Sequence, residues 1–244
     1  MTSTIRDPQQ IIYPDSDGQP TAENTKQFRW IVTIKENLEL LFAPRSDVFV
    51  AGDLFWYPVQ GNNAIRQAPD VMVVFGRPKG DRGSYRQWEE GDVPPQVVFE
   101  ILSPSNRLAE MIRKFKFYER YGVQEYYVYD PDDGELTGWL RQNEELIAIE
   151  DMDGWVSPQL QIRFVVGAAD LEIYRPDGRK FLTMLELEQR AEEERQRAEE
   201  ERQRAEEERQ RAEEERQRTA LAEERARLAE DLLARYRDRF GNLE

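Results

Sequence analysis

The sequence predicts an α+β fold of α/β character, in which helices flank a mixed central β-sheet, followed by a long C-terminal α-helix. Two observations predict the sheet and its helices: short apolar runs bounded by turn residues, and segments in which apolar residues recur every three to four positions. A third observation predicts the appended helix, because a charged repeat begins soon after residue 181. We therefore expect a globular domain over residues 1–180 and a helical segment over residues 181–244.

Each element of the domain follows from its local pattern. Residues 1–22 are rich in turn-forming residues and predict an arm that lies against the domain. Residues 76–96 are polar and rich in glycine and proline, and predict a long surface excursion. The other expected elements are helices over 23–43 and 106–121, strands over 47–57, 71–75, 97–102 and 125–130, a hairpin over 136–149 and short strands over 160–174.

The C-terminal segment contains four copies of the heptapeptide Arg-Ala-Glu-Glu-Glu-Arg-Gln over residues 190–217. Every residue type in the repeat is a good helix former, and the spacing places Glu192 beside Arg195 and Glu193 beside Arg197. A coiled coil needs two apolar positions per heptad, and the repeat supplies a single alanine. The segment is thus either a weak coiled coil or a solvated single helix.

The composition excludes several kinds of chemistry. The chain has no cysteine and no histidine, which excludes disulfides, thiol nucleophiles, Ser-His-Asp triads and imidazole bases. Residues 1–180 carry 20 basic and 29 acidic side chains, a net charge of −9. That charge opposes nucleic-acid binding, since neutralisation of phosphates supplies most of such affinity. It suits a metal-binding protein or an acidic surface that faces a partner.

Two carboxylates occupy apolar surroundings in neighbouring predicted strands. Asp70 follows Pro69 at the entry to one strand, and Glu100 lies inside the next, in Val-Val-Phe-Glu-Ile-Leu. A carboxylate in such a strand is costly unless it is paired or bound to a metal, and Arg113 is one possible partner for Glu100. Two carboxylates at neighbouring strand ends can hold a divalent cation, and a lysine on the following helix, Lys114 or Lys116, could orient water. This set of residues suits phosphodiester hydrolysis without histidine.

These residues resemble the PD-(D/E)XK nuclease superfamily and, more narrowly, the Uma-two family of restriction-endonuclease-like proteins. The resemblance covers roughly residues 20–175. It depends on the runs Pro69–Val71, Val98–Ser105, Lys114–Tyr118 and Tyr121–Pro131, of which the last two together are the most specific. It implies a restriction-endonuclease-like core and a divalent-metal-dependent endonuclease that hydrolyses DNA.

The resemblance also implies roles for individual residues. Asp70 and Glu100 would bind Mg²⁺ or Mn²⁺, with the Ile101 carbonyl, and a lysine would position water. The superfamily places that lysine two residues after the glutamate, where this chain has Leu102. The narrower family has it on the next helix, where Lys114 matches best and Lys116 is the reserve candidate. Some superfamily members add a glutamate from the first helix, for which Glu23 and Glu36 are candidates here.

Three functional hypotheses follow. The first is a Mg²⁺- or Mn²⁺-dependent deoxyribonuclease, favoured by Asp70 and Glu100. The second is a catalytically inactive nuclease fold that acts as an interaction or scaffold module through its helical tail, favoured by Leu102 and the acidic charge. The third is a metal-dependent phosphoesterase acting on small nucleotides.

The location and oligomeric state follow from weaker signals. No segment is apolar for about 18 residues, and the N-terminus lacks the apolar core of a signal peptide. We therefore expect a cytoplasmic protein without a membrane span. A homodimer is possible, because superfamily nucleases that cut both strands often pair two subunits and apolar residues flank the repeats.

Overall fold

The computed structural model describes residues 11–15, 24–167 and 170–240. The chain forms two compact units, Met1–Met184 and Leu185–Glu244. Most of the predicted arm lies outside the described residues, and so does Glu23.

The first unit contains a mixed sheet flanked by helices. Its elements in chain order are α1 (Thr25–Leu41), β1 (Val48–Ala51), β2 (Trp56–Tyr57), β3 (Val71–Phe75), β4 (Tyr85–Arg86), a 3₁₀ helix (Gln87–Glu90), β5 (Val97–Ile101), α2 (Leu108–Arg120), β6 (Glu125–Asp130), β7 (Glu135–Gln142), β8 (Glu145–Ala148), β9 (Arg163–Val166) and β10 (Leu171–Tyr174). Six strands form the central sheet in the order β1-β3-β5-β6-β7-β8. Neighbours β5 and β6 run parallel, and the other pairs of this sheet are antiparallel. The predicted fold class is confirmed.

The two faces of the sheet pack against different helices. Strand β5 is buried along its whole length, as its continuous apolar run predicts. Phe99 points to the face that packs with Leu38 of α1. Val98 points to the opposite face, which packs with Tyr118 of α2. Because side chains alternate along a strand, Glu100 shares the α2 face with Val98.

The segment 76–96 is not wholly a surface excursion. Tyr85 is fully buried, its hydroxyl donates to the Val93 carbonyl at 2.7 Å, and β4 pairs in parallel with β2. Arg82 lies over the Phe49 ring and pairs with Glu90 at 2.6 Å. The prediction was wrong for this part, because an aromatic anchor and an internal ion pair hold a polar segment against the sheet.

The described part of the arm, residues 11–15, lies against the domain. Tyr57 donates its hydroxyl hydrogen bond to the Pro14 carbonyl at 2.6 Å. The Tyr13 ring packs edge-on against Tyr57, with ring centroids 5.2 Å apart, and against Trp88. These ring contacts hold the described residues of the arm in place.

Gly138 of β7 leaves room for the Met152 and Ile149 side chains and the Tyr127 ring, which pack on this face of the sheet. A Cβ atom at this position would lie 2.7 Å from the Met152 Sδ atom and 3.0 Å from the Tyr127 ring. We expect Gly138→Ala to lower the free energy of unfolding by about 1–3 kcal/mol, the usual cost of overpacking a core. Urea denaturation checks this, and an unchanged midpoint would contradict it.

The described residues of the second unit lie in helix α3 (Met184–Phe240), which has 57 residues and begins at the last residue of the first unit. The predicted pair Glu192–Arg195 is present at 3.2 Å, and Glu207 pairs with Arg211 at 3.7 Å. The side chains of residues 192–239 are exposed. In the part of the chain that the structure describes, no helix is both long and apolar enough to cross a membrane.

Candidate active site

The two predicted carboxylates meet on the α2 face at one end of the sheet. Strands β3 and β5 are antiparallel, with Val71 opposite Phe99. Asp70 immediately precedes Val71, so the same register places it opposite Glu100. The Ile101 amide donates to the Asp70 Oδ2 atom at 2.6 Å, which fixes the Asp70 side chain against β5.

Glu100 is held by two residues of α2. The side chain is 2% exposed, the Lys114 Nζ atom lies 2.7 Å from its Oε2 atom, and the Tyr118 hydroxyl donates to its Oε1 atom. Lys114 and Tyr118 lie one helical turn apart, which places both on the same side of α2. Arg113 and Lys116 are exposed and contribute no contact to this cluster. We call Asp70, Glu100, Lys114 and Tyr118 the candidate site.

The charges of the candidate site are unbalanced. Burial, together with the Glu100 carboxylate, raises the pKa of Asp70 well above its usual value. Burial opposes the charge on Lys114, but Glu100 and Asp70 outweigh it and raise the lysine pKa. Burial and the same glutamate raise the pKa of Tyr118. At neutral pH, Lys114 is a cation and Tyr118 a neutral donor, so one positive charge faces two carboxyl groups.

Helix α1 contributes an amide to the site rather than a carboxylate. The Gln27 Nε2 atom donates to the Ile101 carbonyl at 2.8 Å, the oxygen expected to face a metal. Glu36 bonds to Lys35 at 3.0 Å, and among the described residues no third acidic side chain joins Asp70 and Glu100 in a group that could hold a metal. The structure therefore does not bring Glu36 to the candidate site.

Tyr126 is a further polar residue on the same face, and the sequence analysis did not single it out for the site. The residue is 1% exposed, and its hydroxyl has no hydrogen-bond partner among the described residues. Burial, then the negative charges of Glu100 and Asp70, raises its pKa. A buried hydroxyl without a partner costs free energy, which a bound water or ligand would recover.

The donor set fits a hard divalent cation. The residues offer oxygen atoms from Asp70 and Glu100, and the unmatched negative charge favours a cation. Among the described residues no group of three or more acidic side chains is close enough to hold a metal, so two carboxylates and water would complete the coordination.

The mixed six-stranded sheet and its flanking helices form a restriction-endonuclease-like core. The chain matches the Uma2 family, described as "Putative restriction endonuclease", over residues 7–181, and it belongs to this family. A solved structure from Anabaena variabilis, described as a putative nuclease belonging to DUF820, is similar at 15% identity. The similarity covers 55% of this chain and 72% of that one, with a TM-score of 0.42. No curated protein matches the chain.

Proposed function

We propose that the protein is a Mg²⁺- or Mn²⁺-dependent deoxyribonuclease. In this proposal Asp70 and Glu100 bind the metal, and Lys114 positions the attacking water. One observation supports the proposal above the others: two carboxylates lie opposite each other at the end of two neighbouring strands, with a single buried cation beside them. Structural ion pairs have no need for the second, uncompensated carboxyl group.

Lys114 acts in this proposal as a positive charge. Its raised pKa keeps the ammonium protonated at neutral pH, so it cannot accept a proton from water. An ammonium beside the carboxylates can orient water and offset the negative charge that develops on the phosphate. When bound, Mg²⁺ or Mn²⁺ would polarise the phosphate and lower the pKa of water.

Polymeric DNA is the proposed substrate because of the surface beside Lys114. Helix α2 and the residue before it expose four cationic side chains, those of Arg107, Arg113, Lys116 and Arg120. Exposed cations on one helix can contact successive phosphates despite the acidic charge of the whole chain. Such a surface has no role in hydrolysis of a small nucleotide.

The test is nicking of supercoiled plasmid with Mg²⁺ or Mn²⁺, with wild type compared to Glu100→Gln. Glutamine keeps the shape and can still accept from Tyr118, but it removes one metal-binding charge. We expect metal-dependent nicking that the substitution abolishes, and a loss of activity when EDTA removes the metal. Nicking that survives in Glu100→Gln would show that the activity belongs to another site or to a contaminant.

A scaffold function is the second candidate, favoured by the contacts of Glu100. Both of its carboxylate oxygens already accept hydrogen bonds within the protein, as in a purely structural pair. The two proposals differ in metal binding. A scaffold without a metal site shows no thermal shift with Mn²⁺. A protein with a metal site gains about 2.7 kcal/mol of stability when the Mn²⁺ concentration is about one hundred times Kd.

A further inference from the structure

The C-terminal part of α3 has an apolar face that the repeat lacks. Five large apolar side chains between residues 219 and 239 are more than half exposed: Leu221, Leu228, Leu232, Leu233 and Tyr236. At about 100° per residue, they and three alanines fall within an arc of about 160° around the helix. Only Arg225 and Arg239 interrupt this arc. We call residues 221–239 the terminal segment.

A face of this width is stable in water when another surface covers it. The rest of the helix circumference bears five acidic and three basic side chains: Glu223, Glu224, Glu230, Asp231 and Asp238, with Arg227, Arg235 and Arg237. Helices that lie on membranes have mostly Lys and Arg on this side, since lipid surfaces are anionic. The charge therefore favours a protein partner over a membrane.

The charges that border the apolar arc complement the border charges of a second copy that runs in the opposite direction. One border has Glu223, Glu230 and then Arg237, and the other has Glu224, Asp231 and then Arg235. Acidic residues come first and arginine last on both borders. A parallel pair of copies in register would place acid against acid and arginine against arginine. An antiparallel pair would place opposite charges together.

We propose that two copies of the chain pair antiparallel through the terminal segment, centred near Glu230. This register places Glu223 opposite Arg237 of the second copy and Glu224 opposite its Arg235. It also places Leu228 against Leu232 of the second copy. At the centre, Glu230 of one copy faces Glu230 of the other. This is the one contact between like charges on the border that contains Glu223, Glu230 and Arg237. The heptapeptide repeat lies outside the overlap and remains a solvated single helix. The pairing does not depend on the proposed nuclease activity.

Sedimentation equilibrium of the full chain tests the pairing. We expect a mass of about twice 28.8 kDa for wild type, and a monomer for the double variant Leu228→Glu/Leu232→Glu. The control Arg227→Ala changes the opposite side of the helix and should pair like wild type. A wild type that stays monomeric at about 100 µM, or a double variant that still pairs, would overturn the proposal.

Cysteine cross-linking tests the orientation, since the natural chain has no cysteine. Glu230→Cys should form a disulfide-linked dimer on oxidation, because each copy meets itself at the centre. Glu223→Cys should not, because the two copies of this position lie 14 residues apart along the axis, about 21 Å. In a parallel pair the two copies of each border position lie on opposite sides of the interface, so a dimer that cross-links at neither position would refute this register.

Discussion

Replacing Asp70 by asparagine is expected to abolish metal-dependent nicking while making the metal-free protein more stable at neutral pH. A metal ion supplies several kcal/mol of transition-state stabilisation, so loss of a ligand should lower the rate by about 10²- to 10⁴-fold. Asparagine retains an oxygen that can accept the Ile101 amide hydrogen bond. It removes one of two carboxylates that share a single lysine, which relieves their repulsion.

The stability gain depends on pH in a defined direction. The unfolded Asp70 has a pKa of about 3.9, and burial and the Glu100 charge raise the folded value well above it. Asp70 therefore favours folding at low pH, and this contribution is lost as the pH rises through the folded pKa. The stability of Asp70→Asn relative to wild type should increase from about pH 4 upward.

Urea denaturation between pH 4 and 8, with and without Mn²⁺, measures both effects. Mn²⁺ should stabilise wild type at neutral pH and leave Asp70→Asn unchanged. Asp92→Asn is the matched control, because Asp92 is exposed and its positive φ of 60° suits asparagine. A metal response that persists in Asp70→Asn would place the ion elsewhere.

Local sequence patterns were sufficient to predict the elements that bear the candidate site. Val71–Phe75 and Val97–Ile101 are strands at the expected positions, and Lys114 lies on the expected helix. The register between β3 and β5 was not predictable, because it depends on pairing between segments about 30 residues apart. That register is what places Asp70 opposite Glu100.

The residues that sequence reasoning missed are those with two plausible roles. Tyr118 belongs to the apolar face of α2, yet its hydroxyl bonds to Glu100. Its spacing of four residues from Lys114 was the available signal, since one turn of helix brings both side chains to the same side. Tyr126 and Gln27 gave no comparable signal, because their parts in the site depend on the packing of β6 and α1 against β5.

Removal of Lys114 from its ion pair with Glu100 should strongly destabilise the domain. The two side chains are 12% and 2% exposed, and their charged atoms are 2.7 Å apart. Removal of one partner from a buried pair leaves an uncompensated charge and typically costs about 3–5 kcal/mol. We expect Lys114→Met to lower the free energy of unfolding by this amount at neutral pH.

Lys116→Met is the matched control, because Lys116 lies two residues further along the same helix and its side chain is exposed. It should change stability by less than about 0.5 kcal/mol. The wild-type pair should stay intact through neutral pH, since the raised pKa of Lys114 delays its loss to alkaline conditions.

The double variant Lys114→Met/Glu100→Gln distinguishes the ion pair from simple packing. If the cost comes from an unpaired carboxylate, the second substitution should recover part of the stability that the first one lost. The effects of independent packing defects would instead add. Nicking assays on the same proteins identify the lysine: activity that is lost in Lys116→Met and retained in Lys114→Met would reverse the assignment of Lys114 as the positioning residue.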